Sequence, residues 1–392
     1  MGAVSQKKRL RLPQWLSKKS VSFAQNTTVH FSSYILVLPF QTRVLLLSTV
    51  HPPNDPRIVG KIAPALAAQY AVFHPHLPFF KHLVWRILCV HPLALWHFLK
   101  IKPQIVHIFV AELLPLAFVF EWLGAKVMYE VQENLYKKIP TKTYNRARLF
   151  RWLFGYFDQR ARQHFYCIFT EKAYLKEYTQ LTKPHAVVQN FADLKWTSLP
   201  LPRATSPDFF YAGVVSLERS IGVIVEALAI VAVAYPSVKM HLFGRLNLSA
   251  GQLAELPHYQ LVKNNLVFYG YVPQQVAFAK AQSTLAGIAL LKPIGDYPDS
   301  YPTKLFDYMA LGLPVVTSDF PLYQQIVEQH QCGFCIAPDN AAELAKTLIW
   351  LIENPNEAQK MGQRGRQAVD NEYNWQTEAQ KLRRFYQQIE RS

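Results

Sequence analysis

Residues 296–314 read DYPDSYPTKLFDYMALGLP. Two carboxylates, Asp299 and Asp307, stand eight positions apart, the first in a Pro-rich loop and the second one to two turns into a predicted helix. Pro302 is expected to open that helix, because proline at the first helical position gives up an N–H that has no intrahelical partner anyway. Gly312 closes it, since glycine supplies a left-handed cap after the last apolar turn. The N–H groups of Thr303 and Lys304 then face outward at the positive end of the helix dipole, which makes an anion site. Such a helix start, flanked by two acids, suits a ligand with a diphosphate at one end and hydroxyls at the other, as a nucleotide-sugar has. An ordinary amphipathic helix is the alternative on spacing alone, for Leu305, Phe306, Met309 and Leu313 would serve a core equally well.

The D-x7-D pattern, followed by Ala310, Gly312, Pro314 and Val315, resembles the donor site of retaining GT-B glycosyltransferases of the family 4 kind. That family carries E-x7-E and then A-x-G-x-P-V, so aspartate at both places is a departure that shortens each side chain by one methylene. Further segments resemble the same family. YAGVVSLERSIGVIVEAL (211–228) looks like a strand, a Gly-containing loop and a helix, and VKMHLFGR (238–245) and NNLVFYGYVP (264–273) like the next two strands. VVQNFADL (187–194) resembles the segment entering the interdomain linker. In the first half, STVHPPNDPRIVGKIAPALA (48–67), VHIFVAELLP (106–115) and VMYEVQENLY (127–136) resemble its strands and loops.

The resemblance covers about 43–390 and implies an α/β, GT-B fold of two Rossmann-like β/α/β domains facing across a cleft. The expected boundaries are a basic extension over 1–42, an acceptor domain over 43–195, a linker over 196–207, a donor domain over 208–370 and a final helix over 371–392 that packs back on the first domain. Two readings of 1–42 stay open, a genuine extension and a start codon placed too early; no signal peptide is expected there.

The resemblance also assigns roles. Asp299 would contact the transferred sugar, while Arg219 and Lys304 would stabilise the departing diphosphate, giving a catalytic set of three. Asp307 would hold the ribose, with Thr303, Pro302, Ser300 and Gly213 completing the donor site. The second basic residue often found after the loop glycine is Val214 here, and the histidine expected on the acceptor side is Gln132. Gln132 takes no proton at useful pH. Glu112, Glu130 and Glu133 remain as acceptor-side carboxylates, with His51 and Arg57 in the first loop beside them. Each has a plainly structural alternative.

Composition bounds these readings. The 392 residues suffice for two domains, and half of them are hydrophobic. The net charge of +16 sits entirely in the first half, where residues 1–195 hold 26 Lys+Arg against 9 Asp+Glu. Such asymmetry speaks of partners rather than fold. Between 137 and 162, Lys137, Lys138, Lys142, Arg146, Arg148, Arg151, Arg160 and Arg162 interleave with Phe150, Trp152, Leu153, Phe154, Tyr156 and Phe157. A helix with one basic and one aromatic face suits an anionic membrane surface. A second aromatic stretch runs over 78–99. No nucleic-acid module is recognisable, so that partner is not expected.

No cofactor or metal is expected beyond the nucleotide-sugar. Asp296 and Asp299 are three apart, which is not the Asp-x-Asp metal motif, and no second cysteine pair completes a zinc site with Cys332 and Cys335. No G-x-G-x-x-G is present, which argues against a dinucleotide dehydrogenase. The expectation is a cytoplasmic protein, peripherally bound to the inner face of the membrane. It would move a sugar to a lipid-linked or polysaccharide acceptor in cell-surface glycan synthesis, the alternative being a non-catalytic protein that binds a nucleotide-sugar or a partner enzyme.

Overall fold

The computed structural model describes residues 41–80, 82–138, 148–204 and 206–392. Runs such as RVLLL (43–47) and YCIF (166–169) are apolar without alternation, the signature of parallel strands covered on both faces. Six of them form the first sheet: β1 (Arg43–Leu47), β2 (Ala71–Phe73), β3 (Ile105–Ile108), β4 (Lys126–Val131), β5 (Tyr166–Phe169) and β6 (His185–Val187). They are all parallel, in the order β2-β1-β3-β4-β5-β6.

The second sheet holds β7 (Asp208–Ala212), β8 (Lys239–Phe243), β9 (Leu266–Gly270), β10 (Ala286–Ala289), β11 (Val315–Ser318) and β12 (Gly333–Ile336). Its order is β12-β11-β10-β7-β8-β9, again parallel throughout. The fold is therefore α/β with two Rossmann-like domains, as the sequence indicates.

Strand order places the sites. In open parallel sheets, ligands gather at the carboxyl ends of strands where the winding reverses. That point lies between β1 and β3 in the first sheet and between β7 and β10 in the second. The loops there begin at Ser48 and Phe109, and at Gly213 and Leu290. The last two lead to Arg219 and to the Asp299–Lys304 segment.

The helix Trp375–Arg391 lays Trp375, Leu382, Phe385, Tyr386 and Ile389 against Val44, Ile58, Leu66 and Met128, so the end of the chain covers one face of the first sheet. Arg366 ties the connection between domains, donating to the carbonyls of Leu199 (2.7 Å) and Leu311 (2.6 Å). Leu305, Tyr308 and Met309 of the helix Thr303–Leu311 are fully buried against Phe210, Phe278 and Val315, which fixes that helix rigidly on the second sheet.

Two local expectations need correction. Pro302 is the residue before the first helical turn rather than within it: its φ of −71° and ψ of 123° are extended, and Thr303 starts the helix. Gly312 does close it, with φ 74°. The second correction concerns the basic helix, Arg148–His164. Arg162 is buried and paired with Asp158 four residues before it, at 2.6 Å, and also donates to the carbonyl of Glu177. It belongs to the interior, not to a basic surface. Lys142 and Arg146 lie outside the described residues, as do the side chains of Lys138, Arg148 and Phe150.

Candidate functional site

Two glycine loops shape the floor of the second-domain site. Gly213 (φ 133°) and Gly244 (φ 131°) end β7 and β8, and the Gly213 N–H donates to the Phe243 carbonyl at 2.7 Å. A Cβ on Gly244 would stand 2.1 Å from the Gly213 oxygen, so only glycine permits this approach. A Cβ on Gly213 would stand 3.1 Å from a guanidinium nitrogen of Arg219. The bare glycine thus leaves room for Arg219, which lies in the turn Leu217–Arg219 just before the helix Ile221–Ala234.

Lys304 sits opposite. Its side chain is 6% exposed, its Nζ has no hydrogen-bond partner among the described residues, and it rests 4.1 Å from the centre of the Tyr211 ring. Burial pushes its ammonium pKa well below the usual lysine range, and the charge of Arg219 adds to the shift. The Ser220 Oγ, fully buried at the start of the helix Ile221–Ala234, also lacks a partner among the described residues. No side chain caps the first turn at Thr303 either. Two basic side chains, two helix starts without a side-chain cap and a hydroxyl without a partner among the described residues lie together here. A diphosphate would satisfy them together.

The two aspartates have unequal surroundings. Burial pushes the Asp307 carboxyl up to about 6, against the opposing charges of Lys61 and Lys195. Lys61 comes from the first domain, donating to Asn190 Oδ1 and the Phe191 carbonyl at 2.7 Å each, and burial pushes it down to about 8. Asp299 is held by Lys137, again from the first domain, whose Nζ also lies 3.2 Å from Glu177. Ser300 turns away from the site, its Oγ donating to the Asp296 carbonyl at 2.9 Å. Thr303 is exposed at the helix start.

The first-domain candidates fall into three groups. Glu130 is 1% exposed and accepts from Arg57 Nε at 2.7 Å and from Gln132 Nε2 at 2.8 Å. Burial alone would raise its pKa, but Arg57 and then His107 outweigh it and hold the carboxyl down to about 2. Arg57 is 6% exposed, and His107, fully buried, is 2.8 Å from the Tyr386 hydroxyl. Glu130 and Arg57 therefore form a buried network tied to the last helix through His107 and Tyr386. Glu112 pairs with Arg86 at 3.0 Å and with the Thr49 hydroxyl, while His51 Nδ1 lies 2.6 Å from Ser48 Oγ; these stand at the winding point of the first sheet. Glu133 is exposed on the loop after β4.

Several residues at the domain junction escaped the sequence reading. Asp296, Glu171, Tyr174 and Lys137 each bond to the other domain, and no local pattern marks those contacts. Cys332 and Cys335 are free thiols that burial pushes up to about 12. Among the described residues, no group of three or more His, Cys, Asp or Glu is placed to hold a metal ion.

Comparison with known proteins shows what the chain is similar to. Residues 200–368 match the family model described as glycosyl transferases group 1. A phosphatidyl-myo-inositol mannosyltransferase of Mycobacterium leprae is 26% identical over 176 residues, a stretch spanning 44% of this chain and 43% of that relative. The chain thus spans under half the length of the curated relative it matches. Among solved structures, a sucrose-phosphate synthase from Thermosynechococcus elongatus superposes with a TM-score of 0.71 at 16% identity, covering 89% of this chain and 99% of that one. Anabaena HepE in complex with UDP-glucose gives a TM-score of 0.66 at 12% identity, over 89% and 100% of the two chains. The chain has the GT-B fold of those proteins, and residues 200–368, most of its second domain, are similar to the glycosyl transferases group 1.

Proposed function

We propose that this protein is a retaining glycosyltransferase that takes a sugar from a nucleotide-sugar donor and passes it to a lipid-linked or polysaccharide acceptor in cell-surface glycan synthesis. The observation that carries the proposal is the buried Lys304, without a hydrogen-bond partner among the described residues, beside Arg219 at two helix starts that no side chain caps. A buried cation without a partner is costly, and such a site persists where a ligand supplies the anion. The Anabaena neighbour solved in complex with UDP-glucose shares the overall fold.

In this reading the bond from the sugar C1 to the diphosphate oxygen breaks, and the acceptor hydroxyl oxygen forms its bond to C1 on the same face. The acceptor proton passes to the departing phosphate oxygen. Lys304, Arg219 and the N–H groups at Thr303 stabilise the charge growing on the diphosphate, work that preorganised donors do in a water-poor site without a metal. Asp307 accepts from the ribose hydroxyls, and Asp299 meets the sugar once Lys137 gives way or shares its carboxylate. Release of nucleotide from UDP- or GDP-sugars, followed chromatographically with and without chelator, tests the reading. Turnover that survives chelation is expected, and its loss contradicts the metal-free route. One observation favours a donor-binding protein without transfer, namely that Lys137 holds Asp299; tight donor binding with no release under any acceptor would select it.

The first domain supports a place at the membrane's inner face. Ring contacts join three of its helices side by side: Phe98 with Phe120 at 4.6 Å, and Phe118 with Phe157 at 6.1 Å. Their outer faces expose Trp96, Trp122 and Trp152 at 51%, 83% and 64%, with Tyr156, Arg151 and Arg160 beside them. Apolar patches of this kind mark interaction surfaces, and aromatic side chains flanked by arginine fit a headgroup layer. No helix among the described residues is long and apolar enough to cross a membrane. Co-sedimentation with phosphatidylserine vesicles at low salt should pellet the protein, and Trp122→Ala with Trp152→Ala should weaken pelleting at least tenfold. Failure of the unaltered protein to pellet contradicts this placement.

A further inference from the structure

Two buried carboxylates cross the junction in opposite directions. Asp296, from the second domain and 2% exposed, accepts through one oxygen from the Asn134 N–H (3.2 Å) and the Tyr174 hydroxyl (2.9 Å) of the first domain. Glu171, from the first domain and 7% exposed, accepts from the Tyr301 N–H (3.2 Å) of the second. Both therefore grip the segment 296–301, whose far side is held within its own domain by Tyr323, the hydroxyl of which bridges the carbonyls of Tyr297 (2.6 Å) and Ser300 (2.9 Å). Tyr301 is followed by Pro302 and the helix start that presents Lys304. A shift of this segment displaces the loop that enters the first turn of that helix, while the rest of the helix stays packed on its sheet.

We propose that Glu171, Tyr174 and Asp296 are positioning residues that latch the 296–301 segment across the domain junction and thereby set the start of the helix carrying Lys304 and Asp307. Calling that helix the donor site rests on the function proposed above; the latch itself is readable without a donor. Both carboxylates satisfy backbone or phenol donors that opening would return to water, so the contact is conditional on closure.

Charge makes the latch responsive to pH. Burial pushes the Glu171 carboxyl up to about 8; the Tyr301 N–H, the Gln189 amide and Arg57 oppose the shift, and the nearby Asp296 charge adds to it. The other titratable groups facing Glu171 are the Tyr174, Tyr301 and Tyr323 phenols, all raised above their ordinary value and neutral throughout this range. The closed form therefore keeps a proton on Glu171 that an opened, hydrated carboxyl at its ordinary value near 4.5 would lose. Closure is strongest below that value, weakens as pH rises through the interval, and stops changing above about 8.

The test is small-angle scattering of the full chain without ligand between pH 5.5 and 9, for the unaltered protein, Tyr174→Phe and Glu171→Gln, each checked by thermal melting. The unaltered protein should expand as pH rises and level off above about 8. Glu171→Gln, which keeps the acceptor and lacks the titration, should stay closed at every pH. Tyr174→Phe should raise the opened fraction about tenfold, the loss of one hydrogen bond to a charged acceptor. Binding of UDP and GDP, titrated alongside, should weaken with opening in Tyr174→Phe and should fall less steeply with rising pH in Glu171→Gln than in the unaltered protein. Identical scattering for all three proteins, or a Glu171→Gln profile that follows the unaltered one, overturns the latch. Scattering that behaves as described, with neither nucleotide binding the unaltered protein, overturns the functional reading and leaves the latch standing.

Discussion

Replacing Lys304 by methionine separates what its ammonium costs the fold from what it gives a ligand. The residue is 6% exposed and its Nζ has no hydrogen-bond partner among the described residues, so the folded protein bears an unsatisfied buried group. Such a group costs about 1–3 kcal/mol, and a shape-conserving swap returns less than about 1.5 kcal/mol of that as packing strain. A net gain of about 1–2 kcal/mol is expected, which raises the melting temperature by about 2–8 °C for domains of this size. The gain carries a pH signature. Because the native lysine is held well below 10.5, the unfolded chain binds more protons, and stability of the unaltered protein climbs with pH toward that value. The variant should lack this slope.

Ligand reverses the order. At a nucleotide concentration of about 100 times Kd, the unaltered protein gains about 2.7 kcal/mol. Loss of a charge-assisted contact worth about 1.5–3 kcal/mol weakens binding by about 10- to 150-fold in the variant and removes most of that gain. Thermal melting with and without UDP or GDP at several pH values reads all three effects. A variant that melts below the unaltered protein without ligand, or shifts equally with nucleotide, refutes the assignment of Lys304 as the waiting cation.

Two further predictions follow from the titrating groups. Nucleotide-sugar affinity should fall about tenfold per pH unit below 6, because hydroxyl binding requires the Asp307 carboxylate, which is lost as pH drops through about 6; Asp307→Asn should bind weakly and without that dependence, measured calorimetrically from pH 5 to 8. Glu130→Ala should cost about 3–5 kcal/mol by urea melting at pH 7, since it strands the buried Arg57, and the difference from the unaltered protein should shrink as pH falls from 4.5 toward 2, where Glu130 itself takes up a proton.

What the sequence disclosed and what it withheld divide along the range of the interactions. Helix signals are local, so the stretch around Asp307 could be read from Gly312 and the apolar positions, with only the place of Pro302 off by one. The alternation of apolar runs with helices likewise exposes two parallel sheets, and strand order then brings Arg219 and Lys304 to one winding point although 85 positions separate their numbers. The junction was illegible because its bonds span long separations: 122 residues from Tyr174 to Asp296, 130 from Glu171 to Tyr301 and 162 from Lys137 to Asp299. Burial misled in the same way. Glu130 and Arg57 look like polar loop and strand-end residues, yet they neutralise each other 73 positions apart in the core. Arg162 is the one miss with a local sign, since Asp158 stands four residues before it on the same helix face.

Calorimetric titration of the purified protein and Asp307→Ala with UDP-, GDP- and ADP-sugars tests the central claim most directly. The account predicts that one donor binds the unaltered protein and that binding is lost in the variant while its fold is kept. A soundly folded protein that binds none of the three donors, or a variant that binds as tightly as its parent, would contradict it.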